Sequence, residues 1–190
     1  MAITYPLTAP TSVIGVAQVT LRTQQAISIS TSPFTYQQQV IDYDGERWEM
    51  DVTIPPVLEE YAEPWVSFLT SLRGQLGTFY MGDPARANPR GDVTSGTITG
   101  AAGDRTVSLS TSGVVKAGDM FSTNGGLYKV LQDRSGSGSL EIWPALRSSG
   151  SSSTWVNPKG KFRLSTNTSS WSVNESSAYG IQFSAIEVIE

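Results

Sequence analysis

The chain has 190 residues, of which 38% are hydrophobic and 16% are charged, which favours a folded core over a disordered protein. Its net charge is −4, and it lacks the basic stripe that nucleic-acid-binding proteins carry. Cysteine and histidine are both absent, which excludes disulfides, cysteine-ligated zinc, cysteine nucleophiles and catalytic triads built on histidine. The composition therefore favours a protein that is not an enzyme and that uses no cofactor or metal.

The N-terminal third is predicted to be β-structure. Apolar residues, Val13 among them, alternate with Thr, Ser and Gln between residues 11 and 32. Asp44-Gly45 lies between two further alternating runs and predicts a hairpin turn, because both central positions of a type I′ turn need a positive φ. The run after this turn has an apolar face and a polar face: Trp48, Met50, Val52 and Ile54 against Arg47, Glu49, Asp51 and Thr53. Pro55-Pro56 is expected to end the strand, since proline donates no ladder hydrogen bond.

One helix is predicted over residues 62–73. Pro64 suits its first position, and Gly74 suits a left-handed cap at its end. Large apolar residues recur at helical spacing on one stripe: Trp65, Phe68, Leu69 and Leu72. A single helix with such a stripe must dock on a sheet, so these four residues are expected to form the helix-to-sheet core. A strand over residues 76–81 should follow.

The composition changes after Gly82, and a second set of short strands is predicted at residues 106–110, 119–122, 127–131 and 140–143. They predict a small inserted β-barrel domain over residues 92–147, followed by a Ser/Gly-rich linker over residues 148–159. The last strand, residues 179–189, is expected to return to the first sheet with a bulge near Ala185, because that sheet would otherwise keep an open edge. Residues 1–83 and 160–190 would then form one domain around the insertion.

Several stretches resemble tail proteins of long-tailed, siphovirus-like phages. They are SPFTYQQQ at 32–39, WEMDV at 48–52, AEPWVSFL at 62–69, GQLGTF at 74–79, AGDMF at 117–121 and LEIWPALR at 140–147. The order of elements is similar to that of distal tail proteins, a family of tail-tip ring proteins. The resemblance implies a mainly β fold: a tail-tube-like β-sandwich or barrel with one packed α-helix, plus the small inserted barrel.

The same resemblance implies a function. The chain would be a virion structural protein placed at the tail tip or baseplate. Synthesis in the host cytoplasm without membrane insertion is expected from the residues themselves, which include no apolar run of 18 residues and no basic segment followed by an apolar one at the start. Copies would form a hexameric ring that joins the tail tube protein to the hub and fibre proteins and lets DNA pass without specific binding.

Two groups of polar residues are assigned to this ring. Glu49 and Asp51 are predicted to face its lumen, where negative charge would repel the DNA phosphates; the alternative is an ordinary solvated strand face. Gln37, Gln38 and Gln39 are predicted to pair across a subunit boundary, with a polar strand inside one subunit as the alternative.

Other functions remain open. A carbohydrate-binding module of the adhesin type would need an aromatic platform, for which Trp143, Trp155 and Trp171 are the candidates, although alternation with Glu141 favours a core position for Trp143. A glycosidase would need two carboxyl groups at a defined separation in a cleft. The acidic residues at 59, 60 and 63 are better explained as charges at the helix N-terminus.

Overall fold

The computed structural model describes residues 3–12, 15–175 and 177–189, so Val13 lies outside the described residues. The fold is mainly β with one α-helix, as predicted. The elements in chain order are β1 (Leu7–Thr8), β2 (Gln18–Thr31), β3 (Gln38–Leu58), α1 (Glu59–Ser71), β4 (Phe79–Met81), β5 (Ser95–Thr99), β6 (Thr106–Ser110), β7 (Val114–Val115), β8 (Met120–Thr123), β9 (Gly126–Val130), β10 (Arg134–Ser135), β11 (Gly138–Trp143), β12 (Ser152–Thr154), β13 (Gly160–Leu164), β14 (Trp171–Val173) and β15 (Ala178–Glu187). Two short 3-10 turns, Gly74–Leu76 and Pro84–Arg86, flank β4.

The strands form two main bodies. A seven-stranded sheet has the order β1-β4-β13-β15-β3-β2, with β14 pairing separately with β15. A closed barrel contains β5, β6, β8, β9, β11 and β12, and β7 pairs with β10 as a small ribbon. Because β4 and β13 pair with each other and the barrel sequence runs between them, the barrel is an insertion into the sheet.

The main core lies between the sheet and α1. On β3 the buried apolar residues are Trp48, Met50, Val52 and Ile54, which alternate with half-exposed polar residues because successive strand side chains point to opposite faces. On the helix side, Trp65, Phe68, Leu69 and Leu72 are all buried in the same cluster. The helix is therefore fixed on one face of the sheet, and the other face is left polar.

The predicted hairpin turn at Asp44-Gly45 is wrong. Both residues lie inside the continuous strand β3, where residues 43–45 lie opposite the single residue Ala26 of β2 as a bulge. Only Asp44 has a positive φ there, 56°, whereas a type I′ turn needs two such residues. The hairpin turns instead at residues 32–37, where the Ser32 N–H donates to the Gln37 carbonyl at 2.9 Å.

Other boundaries also differ from the prediction. The helix begins at Glu59, so Pro64 is an interior residue. Gly74 has a positive φ of 69°, as predicted, but Arg73 before it is left-handed as well, with a φ of 51°. Strand β3 continues through both prolines to Leu58. The irregularity of β15 lies between Tyr179 and Ile181 rather than near Ala185, which places Glu187 on the core side.

The predicted linker is also corrected. Residues 152–154 form barrel strand β12, so the barrel extends from Ser95 to Thr154. Ser153 and Trp155 are both buried, and the Ser153 hydroxyl donates to the Gly96 carbonyl while accepting from the Trp155 indole, both at 2.9 Å. A serine-rich run can form a strand when the hydroxyl groups on its buried face have hydrogen-bond partners, as that of Ser153 does here.

Candidate assembly interface

A two-stranded ribbon extends from the sheet. Strand β3 pairs with β15 only from Glu49 to Leu58, so the outer halves of β2 and β3 have only each other as partners. We call residues 24–45 the arm. Every arm residue except Ser32 is exposed.

The arm carries large apolar side chains that the chain itself does not bury. Phe34 and Tyr36, at the tip, are 91% and 79% exposed, and Tyr43 is 63% exposed. Residues opposite each other in the ladder share a face, so Ile29 and its partner Val40 form an apolar patch, which Ile27 extends along β2. Isolated exposed apolar residues are normal, but a contiguous set of this size marks an interaction surface.

The arm is also uncharged over most of its length. No Asp, Glu, Lys or Arg occurs between Gln24 and Ile41. A partner that binds this segment therefore desolvates no charged side chain of the arm, which is the most expensive kind of group to bury.

The base of the arm is held by the barrel. The Arg105 guanidinium lies 3.0 Å from the Glu46 carboxylate, 3.2 Å from that of Asp44 and 3.3 Å from that of Asp42. Glu46 is buried, and its second oxygen accepts from the Ala145 N–H at 2.8 Å. The attraction of Glu46, followed by that of Asp42, raises the pKa of Arg105 above its usual value against the opposing effect of burial.

The bulge at the arm base has a steric requirement. A Cβ at Gly45 would lie 2.8 Å from the Cβ of Ala26, closer than side-chain carbons normally approach. Glycine at this position lets residues 43–45 of β3 lie opposite Ala26 without a clash. The bulge in turn determines where the arm leaves the sheet.

A second set of contacts fixes the barrel against the sheet, and we call it the junction. Arg147 donates to both oxygens of Glu187, at 3.2 and 2.9 Å, and the Trp48 backbone N–H donates to the same carboxylate at 2.9 Å. The Trp48 indole donates to the Leu127 carbonyl at 2.8 Å, and its ring meets that of Trp143 edge-on at 4.4 Å. Because Glu46, Trp48 and the arm lie on one strand, the junction also sets the direction of the arm.

Within the described residues, β2 leaves a long edge of the sheet without a partner strand. Strand β2 is the terminal strand in the sheet order, so its 14 residues present unpaired backbone N–H and C=O groups along one side. This edge carries one charged residue, Arg22, and no proline. Natural proteins usually protect such an edge with lysine, proline or a covering element.

The three predicted inter-subunit glutamines lie on the arm. Gln38 and Gln39 open β3 opposite Thr31 and Ser30, and Gln37 closes the turn at the tip. Their side chains are exposed. The structure therefore places them on the surface with no intramolecular strand on their outer side, and the inter-subunit role remains a prediction.

Glu49 and Asp51 lie on the polar face of the sheet, opposite the helix. Each carboxylate pairs with an arginine of the same face: Glu49 with Arg47, and Asp51 with Arg22, both at 2.7 Å. Arg163 lies on this face as well, in line with Glu49 across β15. The negative charge on which the lumen prediction relied is therefore balanced locally, which sequence alternation alone does not reveal.

The tryptophans predicted as a sugar platform do not form one. Trp155 is fully buried in the barrel and stacks on Phe121, and Trp143 is buried at the junction. Only Trp171 is exposed, on the edge strand β14. A groove of about 520 Å3 near this edge is lined mainly by hydroxyl-bearing residues of the 165–170 segment together with Asp51 and Gln182, and Trp171 is not among its lining residues.

Comparisons with known proteins identify no family: no family model matches the chain, and no curated protein has significant similarity to it. Within the described residues, no helix combines the length and apolar character needed to cross a membrane.

Proposed function

We propose that this chain is a structural subunit that assembles through its arm into a closed ring at the tip of a phage tail. The observation that carries the proposal is the arm itself: a ribbon exposed on both faces, without charge from Gln24 to Ile41, with three aromatic side chains 91%, 79% and 63% exposed. Nothing in the described part of the chain covers these side chains. A segment of this kind is expected in a protein whose final burial occurs in an assembly.

The size of the arm surface supports self-association. Three aromatic side chains at these exposures offer on the order of 400–500 Å2, since each buries roughly 150–250 Å2 when fully covered. That is about half of the ~800 Å2 that one partner contributes to a standard interface. The isoleucines, Val40 and the free edge of β2 supply further area.

A ring rather than a pair follows from the geometry of the proposal. In the proposed assembly the arm contacts a different surface of the next copy, and such a contact repeats head to tail and must close as a ring or continue as a filament. In the proposed virion the ring joins the tail tube protein to the hub and fibre proteins and surrounds the DNA path, with six copies by the resemblance of the sequence to distal tail proteins.

The test is the oligomeric state of the purified chain, measured by light scattering after size exclusion and by negative-stain microscopy. The matched variant replaces residues 26–45 by Asn-Gly, because Gln25 and Glu46 are direct cross-strand partners and a two-residue type I′ turn joins such a pair. We expect rings for the natural chain, and for the armless variant monomers whose tryptophan bands in the near-ultraviolet circular dichroism spectrum are unchanged, since all five tryptophans lie outside the deleted segment. A natural chain that stays monomeric at every concentration, or an armless variant that still forms rings, would refute the proposal.

The carbohydrate-binding alternative has weaker support. Its platform is reduced to Trp171, because the other two tryptophans are buried. Quenching of tryptophan fluorescence by a glycan that binds, lost in Trp171→Ala, would favour this alternative over a purely structural role.

A further inference from the structure

The free edge of β2 borders a groove. The groove has a volume of about 510 Å3 and lies between β2 and the barrel, with Leu21, Trp48 and Met120 at its apolar base and Arg22, Thr23, Asp83 and Lys129 around it. An unpaired strand edge beside a groove for alternate side chains is the arrangement by which proteins accept an added strand. Main-chain hydrogen bonds then supply affinity, and the groove supplies selectivity.

We infer that the added strand is the arm of a second copy, bound along its β3 side. This inference rests on the proposed ring and names the surface that receives the arm. In the described part of the chain, the other long strand edge without a partner strand is the stretch of β3 that runs from Gln38 to Asp42. Pairing these two edges between copies satisfies both, and it uses a different surface on each copy, as a ring requires.

The dimensions and charges fit this occupant. The eight arm residues of β2, Gln24 to Thr31, extend the ribbon by about 26 Å at ~3.3 Å per residue. For comparison, about five neighbouring strands of a sheet occupy the same distance side by side. The arm can therefore reach well past its own sheet. The rim of the groove carries both signs of charge. The incoming stretch from Gln38 to Asp42 carries one charge, that of Asp42, which lies 3.3 Å from Arg105 of its own chain.

The chain contains no cysteine, which permits a clean cross-linking test. Thr23→Cys places a thiol on the receiving edge, and Gln39→Cys places one on the arm; both side chains are exposed and neither has a described side-chain hydrogen bond. The two single variants are mixed under denaturing conditions, refolded together and treated with a short bis-maleimide. We expect covalent dimers in the mixture and none in either variant alone.

The double variant Thr23→Cys/Gln39→Cys reports the size of the ring. Within one copy the two sites are separated by seven ladder positions, about 23 Å along the ribbon, which a short cross-linker does not span. Cross-linking should therefore give a ladder of covalent oligomers that ends at the ring number. Thr168→Cys, on an exposed loop that does not line the groove at the β2 edge, replaces Thr23→Cys as the matched control and should give no dimer with Gln39→Cys.

The outcomes separate this inference from the proposed function. Dimers formed by Thr23→Cys alone would mean that two β2 edges pair symmetrically, which overturns the inference. If rings form but Thr23→Cys and Gln39→Cys do not cross-link when mixed, the inference is overturned and the ring proposal is not. A chain that forms no oligomer would remove both.

Discussion

Two arginine–carboxylate pairs of nearly equal length differ in burial, and they provide a controlled comparison. Arg147 Nη2 lies 2.9 Å from Glu187 Oε2, with side chains 17% and 1% exposed, at the junction between barrel and sheet. Arg22 Nη2 lies 2.7 Å from Asp51 Oδ2, with side chains 55% and 37% exposed, on the polar face. The perturbation is the same in both cases: replacement of the arginine by methionine.

The expected losses of unfolding free energy differ severalfold. Arg147→Met leaves the Glu187 carboxylate buried with only the Trp48 N–H as a donor, and it also removes the donor to the Glu46 carbonyl. Breaking a buried pair from one side costs about 3–5 kcal/mol, because the remaining charge is not solvated. Arg22→Met leaves Asp51 partly in water and still accepting from the Ser184 hydroxyl, so a loss of about 0–1 kcal/mol is expected.

The assay is urea unfolding of the two variants and the natural chain at one fixed protein concentration, since self-association shifts the apparent stability. A third variant, Arg147→Met/Glu187→Gln, removes the stranded charge and keeps an acceptor for the Trp48 N–H, so it should recover part of the loss. If Arg147→Met and Arg22→Met destabilise the fold equally, burial does not decide the strength of these pairs, and the junction does not hold the barrel on the sheet in the way we describe.

Three further predictions follow from the core, the junction and the polar face. Leu69→Ala should lower the unfolding free energy by about 2–5 kcal/mol because Leu69 is buried against the sheet, whereas Leu76→Ala, at an exposed position, should change it by less than about 0.5 kcal/mol in the same urea experiment. Burial raises the pKa of Tyr128 above its usual value, against the hydrogen bond from the Arg147 N–H. The contribution of this tyrosine to stability is therefore complete below about pH 10 and is lost as the pH rises through the folded-state pKa, and Tyr128→Phe should remove a late-ionising phenol from an absorbance titration. Glu49→Gln/Asp51→Asn frees Arg22 and Arg47 from their carboxylates and should create binding to duplex DNA that weakens as salt is added, measured by fluorescence anisotropy; an unchanged affinity would mean that these carboxylates do not limit contact with DNA.

The periodic elements could be predicted from sequence because burial repeats with the backbone period. The alternation from Trp48 to Ile54 and the helical stripe from Trp65 to Leu72 each describe one face that packs against the core. Such patterns depend on neighbours within a few residues. A different argument, the open edge that the first sheet would otherwise keep, places the last strand in that sheet, and the strand does pair with β3 and β13.

The arm could not be predicted because its decisive contacts are not local. Asp44-Gly45 supplies a left-handed residue followed by a residue without a Cβ, and both a tight turn and a bulge use that combination. Whether the dipeptide forms a turn or a bulge depends on whether residues 27–31 pair with residues 38–42. That pairing is set by the hydrogen bonds between the two strands, and Asp44-Gly45 itself does not determine it. A continuous strand of 21 residues is also far longer than the usual strand, so the shorter hairpin was the natural expectation.

The ion pair between Asp51 and Arg22 could not be predicted for a similar reason. Glu49 and Asp51 alternate with apolar residues, which predicts their face correctly, but the partner of Asp51 is on β2 and its second contact, Ser184, is on β15. Strand β3 alone shows Arg47 next to Glu49 on this face and no partner for Asp51, whereas the assembled face adds Arg22 of β2. The electrostatic character of a sheet face is a property of the strand order, and the strand order was not available from periodicity.

The energetics of the arm connect these observations to assembly. A two-stranded ribbon without a third strand or a covering helix is marginally stable at best in water, and ordering each residue costs roughly 1–2 kcal/mol of backbone entropy. At the base of the arm, the ion pairs of Arg105 with Asp42, Asp44 and Glu46 offset part of this cost. The tip, residues 32–37, carries no charged residue that could form such an ion pair. The apolar side chains at and near the tip gain nothing while exposed and gain burial only against another surface. The balance of these terms favours an arm that is fixed in direction by its own barrel and stabilised along its length by the next copy.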